Sequence, residues 1–279
     1  MTIAVTAVSG QLGAAIARVL VARGETVIGL ARTPEKVTDL KIEIRPGDYA
    51  NLAQLEVSLA GVDRLLLVSG NGDPAARIDQ HRTVIEAARA AGVQRIVYTS
   101  VQGAETGTAF SPVVDSNRQT EADIRNSGMD WVIGRNGIYI EPDIEYIDSY
   151  RKAGEIANCA GKGRCGYTTR GELAVAYAHM LTEPQHVGQI YNLHGTPITQ
   201  AELAEYMNQA FGTDMVFRPM SVEDYRANRV AELGDFIGTV IAGIYEGIRK
   251  GAVDNPSQFE QAAGRPHIGW QTYFESLKA

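Results

Sequence analysis

Thr6-Ala7-Val8-Ser9-Gly10-Gln11-Leu12-Gly13 decides how this chain is read. The stretch follows an apolar run, Ile3–Ala7. It opens a segment, 11–23, in which Leu12, Ile16, Val19 and Leu20 recur at helical spacing up to a stop at Gly24. Strand, glycine-bearing turn and helix, in that order, let backbone approach a pyrophosphate and seat it on the amides that open the helix. Gly10 and Gly13 hold the second and third glycine places of a G-x-x-G-x-x-G pattern, and Ala7 holds the first. Thr6, Ser9, Gly10, Gln11, Leu12 and Gly13 are therefore expected to line the phosphates of a dinucleotide. The competing reading is a tight strand–helix turn without a ligand.

Outward from that loop the chain alternates. Short apolar runs at 26–30, 42–45, 64–69, 94–100 and 131–134 are separated by helix-period segments at 52–59, 78–91 and 117–127. Apolar strands with helices between them imply a parallel sheet covered on both faces. The expected fold class is α/β: a Rossmann-type doubly wound parallel sheet with a smaller, mostly helical C-terminal lobe. Residues 1–140 would form the dinucleotide-binding domain, with a strand at 189–195 returning to it, and 141–279 the substrate-binding lobe. Thr169-x-x-Glu172 and Thr199-x-x-Glu202 read as capping boxes opening two helices of the second half, and a short strand is expected at 215–218.

Ligands of such sheets bind at the carboxyl ends of the strands. After the second strand, where an NAD site usually carries a carboxylate for the ribose, stands Ala31-Arg32-Thr33, with Lys36 one turn on. Arg32 can fork onto a 2′-phosphate, so NADP is favoured, with NAD as the alternative. Asp48 and Tyr49 follow the third strand and are placed at the adenine end. Ser69-Gly70-Asn71-Gly72 follows the fourth, where backbone can pass close to the cofactor. Thr99 and Ser100 end the fifth, a usual place for a hydroxyl facing a reacting centre. Asn136, Gly137 and Ile138 are expected against the nicotinamide, Gly137 for close approach. Tyr139 is the best-placed phenol, as hydrogen-bond donor or as a wall of the cleft.

Composition narrows the partners. Of 279 residues 44% are hydrophobic and 21% charged, so a packed core is expected and disorder is not. Twenty-six Lys and Arg against 33 Asp and Glu give a net charge of −7. That argues against a nucleic-acid binder and against a polybasic membrane anchor. No run of about 18 apolar residues suggests a membrane span. The start, Met1-Thr2-Ile3-Ala4, lacks the basic region of a signal peptide, and a cytoplasmic protein is expected. Cys159 and Cys165 are expected as reduced thiols. The five histidines are dispersed, so no metal site is expected. His81 reads as a structural or surface residue. The segment 236–248 carries Phe236, Ile237, Val240, Ile241, Ile244, Tyr245 and Ile248 at helical spacing, more as core than as pocket lining.

Several stretches together resemble the NmrA-like group of atypical short-chain dehydrogenases. They are 6–13, Arg32-Thr33-Pro34-Glu35-Lys36, Gly47-Asp48-Tyr49, Gln80-His81, 87–93, Arg135-Asn136-Gly137-Ile138-Tyr139 and Gly188-Gln189-Ile190-Tyr191-Asn192-Leu193. Within the group the resemblance is to quinone oxidoreductases and triphenylmethane-dye reductases. It implies a nicotinamide cofactor, a cleft against the C-terminal lobe and a small quinone or aromatic substrate, with a homodimer left open. The family pattern has glycine where this chain has Ala7.

Most short-chain dehydrogenases carry Tyr-x-x-x-Lys, a phenol acting as acid with its pKa lowered by the ammonium. Here the tyrosine place is Val113 and the lysine place Asn117. The resemblance implies direct hydride transfer in relatives that also lack the pair. An electrophilic quinone or dye needs orientation more than an acid. Asn117, Tyr139 and Ser100 are the expected catalytic side chains. A non-catalytic NADP-binding redox sensor is the second function class.

Overall fold

The computed structural model describes residues 1–70 and 72–278; Asn71, expected in the loop after the fourth strand, lies outside them. In chain order the elements begin with β1 (Thr2–Val5), α1 (Gln11–Ala22), β2 (Thr26–Ala31), β3 (Glu43–Pro46), α2 (Leu52–Ser58) and β4 (Arg64–Val68). Next come α3 (Pro74–Ala90), β5 (Arg95–Val101), α4 (Ser111–Arg125), β6 (Asp130–Asn136) and β7 (Ile138–Tyr139). The second half has α5 (Glu141–Glu145), α6 (Ile147–Ala153), β8 (Glu155–Asn158), β9 (Tyr167–Thr168), α7 (Arg170–Thr182) and β10 (Gln189–Leu193). It ends with α8 (Gln200–Phe211), β11 (Val216–Pro219), α9 (Val222–Leu233), α10 (Asp235–Arg249), α11 (Phe259–Ala263) and α12 (Trp270–Glu275).

Seven strands form one parallel sheet in the order β10-β6-β5-β4-β1-β2-β3. This is the expected doubly wound sheet. Succession reverses between β1 and β4, so the switch point lies at the quoted loop. Both faces are covered, which is why Ile3, Ala4, Val5, Leu65, Leu66 and Leu67 are all fully buried. On one face Ile3, Val5, Leu66 and Val97 pack with Ile16 and Leu20 of α1 and with Leu173, Tyr177 and Met180 of α7. On the other, Ala4, Leu65, Leu67, Ile96 and Tyr98 pack with Leu55 of α2, Val84 and Ala88 of α3 and Ile124 of α4. Beyond β6 a separate cluster forms around Ile156, Tyr167, Leu203, Met207 and Phe274. There β8 pairs with β11 and β7 with β9.

Element ends move for local reasons. β1 stops at Val5 because Ala7 turns to φ 51°, which ends the extended backbone. α3 starts at Pro74, four residues before the first periodic residue, because Asp73 caps it by accepting from the amides of Ala75 and Ala76. α4 likewise starts at Ser111 with a proline in its first turn, so both Val113 and Asn117 lie on it. Thr199 and Glu202 form the full capping box of α8, and Gly212 ends that helix in the left-handed region. Cys159 and Cys165 are buried free thiols. The expected core at 236–248 divides: Ile244, Tyr245 and Ile248 pack inward, whereas Phe236 and Ile237 are 51% and 53% exposed. Among the described residues no helix is long and apolar enough to cross a membrane.

Candidate active site

The carboxyl edge of the sheet gathers the expected residues in two groups. The first lies at β1 and β2. Gly10 caps α1 with no side-chain acceptor, and no acid stands in the first turn, so the opening amides face outward with a positive dipole end. The turn is tight: the Gly10 amide donates to Ala7 O at 2.9 Å, and a Cβ on Gly13 would lie 2.5 Å from that oxygen. Gly13 is thus required by the turn itself. Ser9, Gly10 and Gln11 are exposed, while Leu12 is buried against the sheet. Arg32 is exposed, and among the described residues it has no ion-pair partner; Lys36, on the 3₁₀ turn Pro34–Lys36, is exposed beside it. The donor set of backbone amides, one free guanidinium and one ammonium suits a pyrophosphate with a further phosphate, and these residues fit a dinucleotide.

Thr6 ties the switch point together. Its hydroxyl pairs with the Tyr49 hydroxyl at 2.5 Å and accepts from the Val68 amide at 2.9 Å, while Tyr49 donates to Val68 O at 2.8 Å. Tyr49 therefore spends its hydroxyl inside the protein, and burial pushes its pKa up. Asp48 accepts from the Ala50 amide at 3.0 Å, a local turn.

The second group lies at β4, β5 and β6 and is far more internally bonded. The Ser69 amide donates to Thr99 Oγ1 at 2.8 Å, and the Gly70 amide to His81 Nε2 at 3.1 Å. Nε2 is then an acceptor, so Nδ1 carries the proton and donates to Thr120 Oγ1 at 2.9 Å. His81 is fully buried, a structural residue and not a surface one, and burial lowers its pKa to about 3. Asn117 is 2% exposed. Its Oδ1 accepts from Tyr98 Oη at 2.6 Å and from Ser69 Oγ at 3.2 Å, and its Nδ2 donates to Val113 O at 2.7 Å. Those contacts fix the amide orientation and leave one Nδ2 proton over. Burial raises the Tyr98 phenol to about 12.

Ser100 faces an ion cluster built around one buried carboxylate. Its hydroxyl donates to Glu121 Oε1 at 2.6 Å, and that carboxylate also takes a forked pair from Arg135 (3.0 and 2.7 Å) and a bond from Arg118 at 2.8 Å. Glu121 is 1% exposed, yet the two guanidiniums and Ser100 outweigh burial and hold its pKa down. Asn136 bridges two phenols: Tyr177 Oη lies 2.6 Å from its Oδ1, and its Nδ2 donates to Tyr139 Oη at 3.2 Å. The Arg170 guanidinium sits 5.2 Å over the Tyr139 ring. Tyr139 accepts there, its own proton has no acceptor among the described residues, and burial keeps its pKa high. Ile138 is half-buried beside it.

Gly137 needs a different reason from the one expected. A Cβ there would lie 2.2 Å from Gly166 O and 2.7 Å from His194 Cβ. Protein fills the space, so the glycine serves the packing of β7 against the segment before β9. Sequence reasoning passed over Arg77, Tyr98, Glu121 and Tyr177, all buried. A charged or phenolic residue inside an otherwise apolar strand or on the inward face of a helix is the signal that could have found them.

The sequence profile of a family described as NAD(P)H-binding matches residues 8–184. Quinone oxidoreductase 2 of Escherichia coli strain K12 is 31% identical over 274 residues, 95% of this chain and 94% of that protein. The crystal structure of an NADPH-dependent quinone oxidoreductase from Escherichia coli, complexed with NADPH, superposes with a TM-score of 0.90 at 30% identity, covering 99% of each chain. The Citrobacter sp. triphenylmethane reductase complexed with NADP(H) gives 0.90 at 31% identity over 100% of each chain.

Proposed function

We propose, from the premise that the chain belongs to the NAD(P)H-binding family, that it is a reductase passing a hydride from NADPH to a quinone or polycyclic aromatic carbonyl compound. In this reading the pyrophosphate lies on the α1 amides, Arg32 and Lys36 take the 2′-phosphate, and the nicotinamide half runs over Ser69, Gly70 and Asn136. Residues 1–140 hold the cofactor and the segment from 141 supplies the substrate wall. Bound there, the reduced nicotinamide supplies the hydride.

One observation carries the choice of substrate class. In the second group, His81 is held neutral, Tyr98 and Ser100 donate hydrogen bonds to Asn117 and Glu121, and the lysine place is an amide. No acid with a pKa near neutrality stands there among the described residues. The acceptor must then be electrophilic without prior protonation, as a quinone is, because its reduced product delocalises the charge. Tyr139, whose proton has no acceptor among the described residues, is the group that can donate to the resulting oxygen, and Asn117 has one amide proton to orient a ribose or substrate oxygen. Arg170 over the Tyr139 ring stabilises the phenolate that would form.

The test is anaerobic mixing of the NADPH-loaded protein with a panel of quinones and aromatic ketones, following loss of the nicotinamide absorbance. Oxidation by quinones, with Tyr139→Phe slowing ketones more than quinones, is expected. Bound NADPH that no electrophilic aromatic oxidises would leave the sensor reading in its place.

A further inference from the structure

We propose that Arg77 is a specificity-determining residue of the cofactor cleft: a buried, unpaired cation that makes the site hold the neutral reduced nicotinamide in preference to the cationic oxidised one. The inference rests on the reading that NADPH binds along this edge of the sheet.

Arg77 lies on α3 and is 4% exposed. Its Nη2 donates to Gly72 O at 3.0 Å and its Nη1 to Ser116 Oγ on α4 at 3.0 Å. Among the described residues its Nε is buried without a partner and no carboxylate forms an ion pair with it. Asp73, the cap residue one turn before it, is exposed, spends Oδ1 on the amides of Ala75 and Ala76, and reaches Arg77 only through a solvent-screened charge. Glu121, the buried acid of α4, is engaged by Arg118 and Arg135. His81, the neighbouring buried base of α3, is neutral. A guanidinium keeps its proton in such a place, so among the described residues its charge has no buried acid in contact with it.

Burying an arginine without an acid is costly, and a neutral side chain of similar reach could tie Gly72 to Ser116. The charge itself therefore needs a use. The Gly72 loop follows β4, on the far side of the switch point from Arg32. A dinucleotide with its phosphates on α1 and its adenine half at Arg32 must lead its nicotinamide half across this loop. Reduced nicotinamide is neutral and the oxidised ring carries a positive charge. A fixed cation in a poorly screened interior repels the oxidised ring and leaves the reduced one untouched. The consequence is a site that loads NADPH and releases NADP⁺ readily.

The experiment measures dissociation constants for NADPH and NADP⁺ by fluorescence titration in the wild type, Arg77→Lys and Arg77→Gln, with thermal melts to confirm folding. Burial lowers a lysine's pKa, so the titrations are run at about pH 6 where lysine keeps the charge, and glutamine keeps a donor for Gly72. We expect the wild type to hold NADPH more tightly than NADP⁺, Arg77→Lys to keep that ratio, and Arg77→Gln to shift it toward NADP⁺ by about 5–10-fold. A folded glutamine variant that weakens both forms equally makes Arg77 a mere loop tie and overturns the proposal. If that variant does not fold, the wild type alone decides against 2′-phospho-ADP-ribose, the ligand without the ring. NADP⁺ binding no tighter than this fragment supports the repulsion, and tighter binding overturns it. A wild type that binds neither nucleotide fails at the underlying reading instead, which separates the two.

Discussion

The two halves of the sheet's carboxyl edge are built in opposite ways. At β1 and β2 the chemistry is open: backbone amides with no cap, and an exposed Arg32 without an ion-pair partner among the described residues. At β4, β5 and β6 it is closed: Ser69, Thr99, Ser100, Asn117 and Asn136 are bonded to one another or to buried neighbours. An open surface suits a ligand that brings its own charges. A closed network suits a reaction that needs fixed geometry and no mobile proton.

That contrast breaks most severely at Gly13. With Ala7 O only 2.5 Å from a Cβ there, Gly13→Val must push the turn apart. Overpacking of this kind costs about 1–3 kcal/mol of stability. Because the displaced backbone is the phosphate seat, NADPH affinity should fall by about 100-fold or more, read by titration beside a thermal melt. Normal NADPH binding in this variant would mean that the amides of α1 are not the seat.

On the closed side the largest effect belongs to Glu121→Gln, which leaves the half-buried Arg135 without its carboxylate and Arg118 with only the exposed Glu105. Urea unfolding should show a loss of about 3–5 kcal/mol. The pH dependence follows from the same site. The folded protein holds the Glu121 pKa below its ordinary value of 4.5, so its contribution is whole above that value. It drains away as pH falls through the lowered pKa, and the glutamine variant should lack this acid-side loss.

Arg32→Glu sharpens the comparison, because it reverses charge on the open side and touches nothing buried. A charge-assisted contact with the 2′-phosphate contributes about 1.5–3 kcal/mol, so the NADPH-over-NADH preference should fall by about 10–100-fold while the melting temperature stays put. An unchanged preference would move the 2′-phosphate elsewhere. The smallest effect is expected at Ala7, which holds φ 51° without being glycine. Ala7→Gly should add about 0.5–1 kcal/mol of stability with NADPH binding intact, seen as a small rise in melting temperature.

The same contrast explains what the sequence made legible. The open half is local: strand, turn and helix follow one another within 6–13, and Arg32 simply ends β2, so spacing alone locates both. The sheet was legible for the same reason, since each βα unit carries its own period. The closed half is tertiary. His81 reaches Gly70 across 11 positions, Tyr98 reaches Asn117 across 19, and Tyr177 reaches Asn136 across 41. No spacing rule links such pairs. Ser100 and Asn117 were picked out by place, but their partners came only with the packing of α4 on β5. Gly137 shows the converse: its type was noticed, and its cause, a carbonyl of Gly166, lay 29 positions away in a segment with no periodic signal.

A crystal structure of the protein grown with NADPH tests the central claim most directly. The account predicts the pyrophosphate against the amides of Gln11, Leu12 and Gly13, the 2′-phosphate at Arg32, and the nicotinamide beyond Ser69 and Gly70 on the side of Asn136. A dinucleotide bound anywhere else, or a crevice that stays closed at saturating NADPH, would contradict it.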